Sequence, residues 1–386
     1  MIEKIKKAFE EHFGKDPLLI KSPGRINLIG EHTDYNDGFV LPAAVDLGVY
    51  FACKPNDLNK YRFYSYDLED VYVRGVDDLA KSKKRWVNYL LGVIAQFEKS
   101  GKKVQGFDCV LGGDLPMGAG MSSSAAVETG LAFAINQMEG YGYETLDLVK
   151  FSQKAEHEYA GVQCGIMDQF AVMHGEHQQV IKLDCRSLEY RLYPFHMEDY
   201  ELVLVNTGVK HSLASSEYNK RRQECETGVA LLQKHFPEIN SLRDVHLEQI
   251  QKFEQEFDPV VYNRCSYVVE ENLRLERACV ALEKDDMKAF GQEMYGSHEG
   301  LRDKYEVSCA ELDQLVDLAR SVEGVVGARM MGGGFGGCTI NLIAKKSVPG
   351  FEQKVRESYQ TPDGGQPEII KVKIEQGTHP VQINEK

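Results

Sequence analysis

The opening stretch MIEKIKKAFEEHFG returns Ile2, Ile5, Phe9 and Phe13 at helical spacing, with mostly charged residues between them and Gly14 as a stop. The pattern predicts an amphipathic first helix, not a cleavable leader. Apolar runs predict strands over Leu18–Ser22, Ile26–Ile29 and Phe39–Val45, the last two joined by the turn-forming Tyr35-Asn36-Asp37-Gly38. Further strands are expected at Val49–Cys53, Phe107–Leu111, Val180–Asp184, Glu201–Asn206 and Thr339–Ala344. Helical periodicity marks Trp86–Lys99, Ser122–Met138, Glu144–Ala160 and Ile166–His174, and from about Ser215 to Ser321 the pattern is mainly helical. There is no internal repeat and no low-complexity tract. The mixture predicts an α+β chain of two domains, residues 1–196 and 197–386, with the boundary near Tyr193 to Glu198.

The 386 residues are 42% hydrophobic, which fills more than one core but is modest for three domains. A formal net charge of -14 repels polyanionic surfaces, so neither nucleic acid nor an anionic membrane is an expected partner. A small anion is a different matter, because backbone N–H groups and a few local cations can hold phosphate inside an acidic protein. The nine cysteines contain no CxxC pair and fit neither a disulfide framework nor a zinc site. They read as reduced thiols. No apolar run approaches the roughly 20 residues that span a bilayer, and the cytoplasm is the expected location.

One glycine-rich segment carries a chemical signal. Gly112-Gly-Asp-Leu-Pro-Met-Gly-Ala-Gly-Met-Ser-Ser-Ser-Ala-Ala126 follows a predicted strand and opens into a helix. Gly118 and Gly120 let backbone approach a ligand, the helix start offers free N–H groups to phosphate, and Ser122, Ser123 and Ser124 add hydroxyls for phosphate or metal. The segment is not a Walker loop, since no GK[ST] follows, nor a Rossmann fingerprint, since Ser123 stands at the third glycine. A glycine turn with a serine cap is the plain alternative. The serine run followed by Ala125 and Ala126 at a strand-to-helix junction favours phosphate.

Two acids stand out. On a helical wheel of residues 144–160, Lys150, Lys154, His157 and Glu158 share one arc, and Glu156 falls within the opposite, apolar arc. An inward carboxylate needs a partner, either a magnesium ion or an arginine. Asp168 is the single acid at the start of an otherwise apolar helix, where it could accept a hydroxyl proton or simply stabilise the first turn. A third polar group, Glu31, His32 and Asp34, follows Arg25 in Lys21-Ser-Pro-Gly-Arg-Ile-Asn-Leu-Ile-Gly-Glu-His-Thr-Asp-Tyr35. Carboxylates that accept hydrogen bonds from vicinal hydroxyls, with a guanidinium nearby, suit a sugar. A solvated polar loop is the alternative, and a metal site is disfavoured because no second histidine stands at ligand spacing.

Together, Pro23–Tyr35, the loop Leu115–Ala126 and Met331-Gly-Gly-Gly-Phe-Gly-Gly-Cys338 resemble, in order, the sugar signature, ATP loop and third motif of the galactokinase branch of the GHMP small-molecule kinases. The resemblance spans nearly the whole chain. It implies a two-domain α+β, GHMP-kinase-like fold with the active site in the interdomain cleft, and conversion of ATP and α-D-galactose to ADP and galactose 1-phosphate, the entry step of galactose catabolism. By motif position, Asp168 resembles the base for the C1 hydroxyl, and Arg25 the cation that stabilises the transition state. Ser124 and Glu156 resemble the ligands of Mg2+, while Gly118, Ala119, Gly120, Met121, Ser122, Ser123 and Ser124 resemble the ATP contacts. Glu31, His32, Thr33, Asp34, Gly165, Asp168 and Tyr218 resemble the sugar contacts, Tyr218 being placed by Ser216-Glu-Tyr-Asn-Lys-Arg-Arg222. Trp86 and Tyr89 are candidates to surround adenine, with a core role as the alternative. Met121 and Met331 depart from the leucine and threonine common in the family. A kinase for N-acetylgalactosamine or L-arabinose, or a sugar and ATP sensor without catalysis, are the competing readings.

Overall fold

The computed structural model describes residues 1–116, 118–209 and 214–382, with the side chains of residues 214–216 left out. Met117, within the expected phosphate loop, lies outside the described residues. The elements in the first half are α1 (Ile2–His12), β1 (Leu18–Asn27), β2 (Phe39–Val40), β3 (Pro42–Pro55), β4 (Lys60–Ser65), β5 (Asp70–Gly75), α2 (Arg85–Lys99), β6 (Phe107–Gly113), α3 (Ser123–Glu139), α4 (Thr145–Ala155) and α5 (Met167–His174). They are followed by β7 (Gln179–Asp184), β8 (Tyr190–Pro194), β9 (Tyr200–Asn206), α6 (Ala214–Leu232), α7 (Leu247–Lys252), α8 (Pro259–Glu283), α9 (Met287–Asp303) and α10 (Ala310–Arg320). The last elements are β10 (Val325–Met330), β11 (Cys338–Ala344), α11 (Val348–Ser358), β12 (Ile369–Val372) and β13 (His379–Pro380).

A six-stranded sheet in the order β13-β1-β3-β6-β4-β5 forms the first layer. Alternation along β1, β3 and β6 sends Ile20, Phe51 and Cys109 into a core shared with α2, α3 and α4. Leu19, Ala52 and Val110 point the other way, onto Ile5 and Phe9 of α1. Thus the apolar stripe of the first helix covers the outer face of the sheet. A second sheet, β10-β11-β9-β12, packs Val203, Val205 and Ile343 on the α10 and α11 side, and Leu202, Leu204 and Ile340 into a core shared with α8, α9 and β1. A small third sheet pairs β2 with β7 and β7 with β8.

Several expectations change in detail. The runs 18–22 and 26–29 are one strand, because the Pro23-Gly24-Arg25 break is a register shift inside β1. Proline has no N–H to pair there, and the irregularity re-aims Arg25. Likewise β3 runs unbroken through Gly48, where a side chain would come within 2.6 Å of the Ser22 carbonyl oxygen. The helix expected over 144–160 is α-helical only to Ala155 and continues as a π-helical turn, Glu156–Ala160. The β4–β5 hairpin was not among the expected strands: Tyr61 and Phe63 alternate inward along β4, but in β5 the exposed positions hold Val71 and Val73, which blurs the apolar period. We propose the division at residues 196 and 197, between β8 and β9. Across it, Ile374 bridges to Val45 and β13 pairs with β1, so the last residues return to the first sheet.

Helix α3 rests directly on β1 and β3, with Gly130 at the closest approach. A methyl group there would stand 2.2 Å from the buried Phe51 ring and 2.8 Å from Ser22. Gly130→Ala should therefore destabilise the protein by about 1–3 kcal/mol through overpacking, although alanine is the better helix former. Denaturant melts check this, and an unchanged or raised midpoint would refute the close packing.

Candidate active site

The strand β6 delivers the glycine-rich loop to the start of α3, at the rim of a cleft of about 400 Å³. Residues 118–124 all line it. Gly120 and Gly332 both adopt positive φ and back onto each other: a Cβ on Gly120 would meet the Met331 carbonyl oxygen at 3.3 Å, and one on Gly332 the Gly120 carbonyl oxygen at 3.5 Å. The third glycine motif thus packs on the phosphate loop backbone to backbone. Ser122, at the N-cap of α3, has φ 54° and makes no side-chain cap. A serine in the left-handed region is strained, and its hydroxyl is spent elsewhere, on the carboxylate of Asp168.

Asp168 is where three elements meet. Arg25, re-aimed by the irregularity in β1, donates Nε to Asp168 Oδ1 at 2.7 Å, while Ser122 holds Oδ2. The same guanidinium donates to the carbonyl oxygen of Gly120, and the Arg25 N–H to that of Met121 at 3.1 Å. Burial alone would lower the Arg25 pKa, but Asp168 and Glu31 outweigh it and the net shift is upward. The expected base, cation and phosphate loop are therefore within one hydrogen bond of one another.

Glu156 forms a deeper layer. The π-helical turn brings its carboxylate to the cleft, where Ser124 Oγ donates to Oε1 at 3.0 Å and Gln169 Nε2 to Oε2 at 2.7 Å. Burial, and secondly the charge of Asp168, push Glu156 up to about 7. No arginine pairs with it among the described residues. Behind Gln169 lies Glu128, fully buried and raised well above the usual carboxylate range by burial and by Glu156.

The sugar loop divides by role. Asp34 lies against Gly165, where any side chain would collide with it at 1.9 Å, and accepts from the N–H of Tyr35 at 3.0 Å. Burial and the carboxylates of Asp168 and Glu31 push Asp34 up to about 7. His32, Asp34, Gly165 and Tyr218 line the cleft. Glu31 also lines it, yet its oxygens are engaged by Asn27 at 3.1 Å and by the fully buried Arg329 at 2.5 Å. Thr33 is a correction: it is buried, its hydroxyl lies 2.9 Å from the Gly30 and 2.5 Å from the Phe39 carbonyl oxygens, and it shapes the loop without lining the cleft. Tyr89 lines the cleft, whereas Trp86 does not and donates to Asp70 at 3.0 Å.

Three family models match the chain in order: the galactokinase galactose-binding signature over residues 7–55, the GHMP kinases N terminal domain over 88–176 and the GHMP kinases C terminal over 278–360. A galactokinase of Thermotoga neapolitana is 44% identical over 344 residues, covering 89% of this chain and 94% of that protein. One from Roseiflexus is 37% identical over 98% of this chain and 97% of its own. The chain belongs to the galactokinase family. The crystal structure of Lactococcus lactis galactokinase complexed with galactose superposes with a TM-score of 0.94 at 34% identity, over 98% of this chain and 99% of that one. Methanococcus jannaschii mevalonate kinase, at 16% identity and a TM-score of 0.66, shares the fold.

Within this galactokinase-family site, Arg329, Gln169, Glu128 and Tyr35 were not found by sequence reasoning. Glu128 alone carried a signal, as an acid amid the small and apolar residues in the first half of helix α3. Arg329 lies in β10, a strand not among those expected, and only the fold brings it to Glu31.

The raised Asp34 gives a signed expectation for the ligand-free protein. Its folded pKa of about 7 exceeds the unfolded value, so between about pH 4 and pH 7 the folded state binds more protons and stability falls as pH rises. Asp34→Asn, which keeps the oxygen that accepts from Tyr35, should melt higher than the wild type at pH 8, and this advantage should vanish near pH 4. Thermal melts across that range decide it; parallel curves for the two proteins would show that Asp34 is not destabilised by its surroundings.

Proposed function

We propose that this chain transfers the γ-phosphoryl group of ATP to the C1 hydroxyl of α-D-galactose, giving galactose 1-phosphate and ADP. The observation that carries the reading is the meeting of Arg25 and Ser122 on the two oxygens of Asp168, at the boundary between the sugar loop and the phosphate loop. Family membership and the fold shared with a galactose-complexed galactokinase support the choice of sugar.

In this reading the sugar lies against His32, Asp34, Gly165 and Tyr218, and the triphosphate against residues 118–124 at the start of α3. Asp168 takes the C1 hydroxyl proton as that oxygen bonds to the γ-phosphorus, and the bond from phosphorus to the β-phosphate oxygen breaks to release ADP. Arg25, fixed by Asp168 and by the Gly120 carbonyl, stabilises the negative charge that develops between the two loops. Little covalent work is asked of the protein, because phosphoryl transfer depends chiefly on alignment and charge stabilisation.

Ser124 and Glu156 are the residues that would hold Mg2+. They fit a hard cation: both offer oxygen, they lie 3.0 Å apart, and Glu156 is a buried acid that a neighbouring positive charge would relieve. Magnesium commonly takes one or two protein ligands and fills the rest with phosphate and water, so no cluster of three protein ligands is needed, and none is found among the described residues. When bound, the ion would offset phosphate charge.

Offered Mg-ATP with galactose, N-acetylgalactosamine, arabinose or glucose, the purified protein should release ADP with galactose. Ligand-induced stabilisation without ADP would instead identify a sensor, and ADP from another sugar alone would reassign the substrate. Asp168→Asn should lower kcat by about 10²- to 10⁴-fold while galactose still protects against thermal unfolding. Wild-type turnover in that variant would remove Asp168 from the role of base.

A further inference from the structure

The two oxygens of the Glu156 carboxylate have different neighbours. Oε1 accepts from Ser124 Oγ at 3.0 Å, whereas Oε2 accepts from Gln169 Nε2 at 2.7 Å and lies 3.5 Å from the thiol of Cys164, a weak donor. Gln169 is fully buried and, unlike Ser124 and Glu156, does not line the cleft. Any effect it has on an ion held by those two residues must therefore pass through one of them. A glutamate with no tie turns readily about the bond that carries its carboxylate, and either oxygen, or both, can meet a cation. The bond from Gln169 engages Oε2 and leaves Oε1 beside Ser124.

The orientation of Gln169 is set by the acids on either side of it. An amide nitrogen carries two hydrogens, and the second acceptor beside this one is Glu128 Oε2 at 3.4 Å. The amide oxygen has no partner among the described residues. Turning the amide over would put oxygen in place of nitrogen against Glu156 and lose the shorter bond. Glu128 follows Ser124 by four residues, one turn along the same face of α3. One helix thus supplies the donor to Oε1 and, a turn later, the buried acid behind the amide that holds Oε2, while α5 carries that amide in the position after Asp168.

We infer that Gln169 is a positioning residue for the divalent cation: by holding Oε2 of Glu156 from behind, it presents Oε1 and the Ser124 hydroxyl as a preset pair of ligands. The inference deepens the magnesium reading of Ser124 and Glu156 and rests on it. Groups that fix a ligating side chain without touching the metal are commonly worth about 10- to 100-fold in affinity. Methionine has nearly the length and volume of glutamine and none of its hydrogen-bond donors, so Gln169→Met cuts the tie to Glu156 with little change in packing. Asparagine keeps the amide but is one methylene shorter, which draws the nitrogen back from the carboxylate.

Mn2+, an oxygen-seeking ion that electron paramagnetic resonance detects when free, can be titrated into the full-length protein saturated with a non-hydrolysable ATP analogue, and calorimetry gives the galactose affinity separately. Gln169→Met should weaken Mn2+ binding by about 10- to 100-fold and leave the galactose Kd within about twofold of the wild type. Added to Glu156→Ala, which removes the carboxylate, it should change Mn2+ binding by no more than about twofold, because there is then nothing for the amide to hold. Should Gln169→Met fail to fold, Gln169→Asn serves in the same comparison. Unchanged Mn2+ affinity in a folded variant overturns the inference. An equal loss in the Glu156→Ala background, or a comparable loss of galactose affinity, overturns it as well, since either would mean a general disturbance of the cleft. If Glu156→Ala alone leaves Mn2+ binding unchanged, the magnesium reading itself fails and this inference falls with it.

Discussion

Charge imbalance in the cleft is the constraint on which the site is built. Glu31, Asp34, Glu156 and Asp168 line it, with two arginines set against them, Arg25 on Asp168 and Arg329 on Glu31. A buried carboxylate without a cation is costly, and the acids left over, Asp34 and Glu156, are the ones whose pKa values rise to about 7. The cations secure the sugar loop and Asp168, while Asp34 and Glu156 face the cleft with no arginine paired to them among the described residues. A triphosphate entering so acidic a cleft cannot rely on side-chain charge. In the proposed function it would depend on the free N–H groups at the start of α3 and on cations that it brings with it.

Local strain follows from the same arrangement. Ser122 gives up both an ordinary backbone conformation and its cap to reach Asp168, and the helix after Ala155 widens into a π-turn to bring Glu156 to the cleft. Both departures from ideal geometry lie at the cleft, Ser122 at its rim and Glu156 in a deeper layer. The nearby glycines serve close approach. Gly165 leaves room for the Asp34 carboxylate, and Gly332 lets the third motif lie on the phosphate loop.

Sequence reasoning reached the parts of this design that repeat along the chain and missed those that depend on closure. The strands over 107–111 and 201–206 and the helices over 86–99 and 122–138 follow from local apolar period, and β6 and β9 and α2 and α3 realise them to within a few residues at the ends. Inward placement of Glu156 followed from the wheel, although the π-turn that aims it did not. Breaks at Pro23-Gly24 and at Gly48 read as strand ends, because a residue that interrupts pairing looks the same as one that ends it until the neighbouring strand is known. Arg329 has no local signal at all. It is an ordinary residue of β10, and it acquires a part only because the second half of the chain folds against the first.

That dependence explains how a loop rich in polar residues stays ordered. The sugar loop is encoded near the N-terminus but fastened from the other half: Glu271 of α8 accepts from the Gly30 N–H at 2.9 Å, and Tyr267 donates to the Glu31 carbonyl at 3.0 Å. Asn272 accepts from the Phe39 N–H at 2.9 Å, and Arg329 of β10 donates to the Asn27 carbonyl at 2.8 Å. Each contact satisfies a buried backbone group that would otherwise be stranded, so the loop cannot take this shape until α8 and β10 are in place. The acid cluster is thereby held by groups from the other half of the chain, of which Glu271, Tyr267 and Arg329 are fully buried. Loss of any of these contacts would strand a backbone group of the sugar loop or of the strand before it, so the shape of the loop depends on the packing of the second half of the chain on the first.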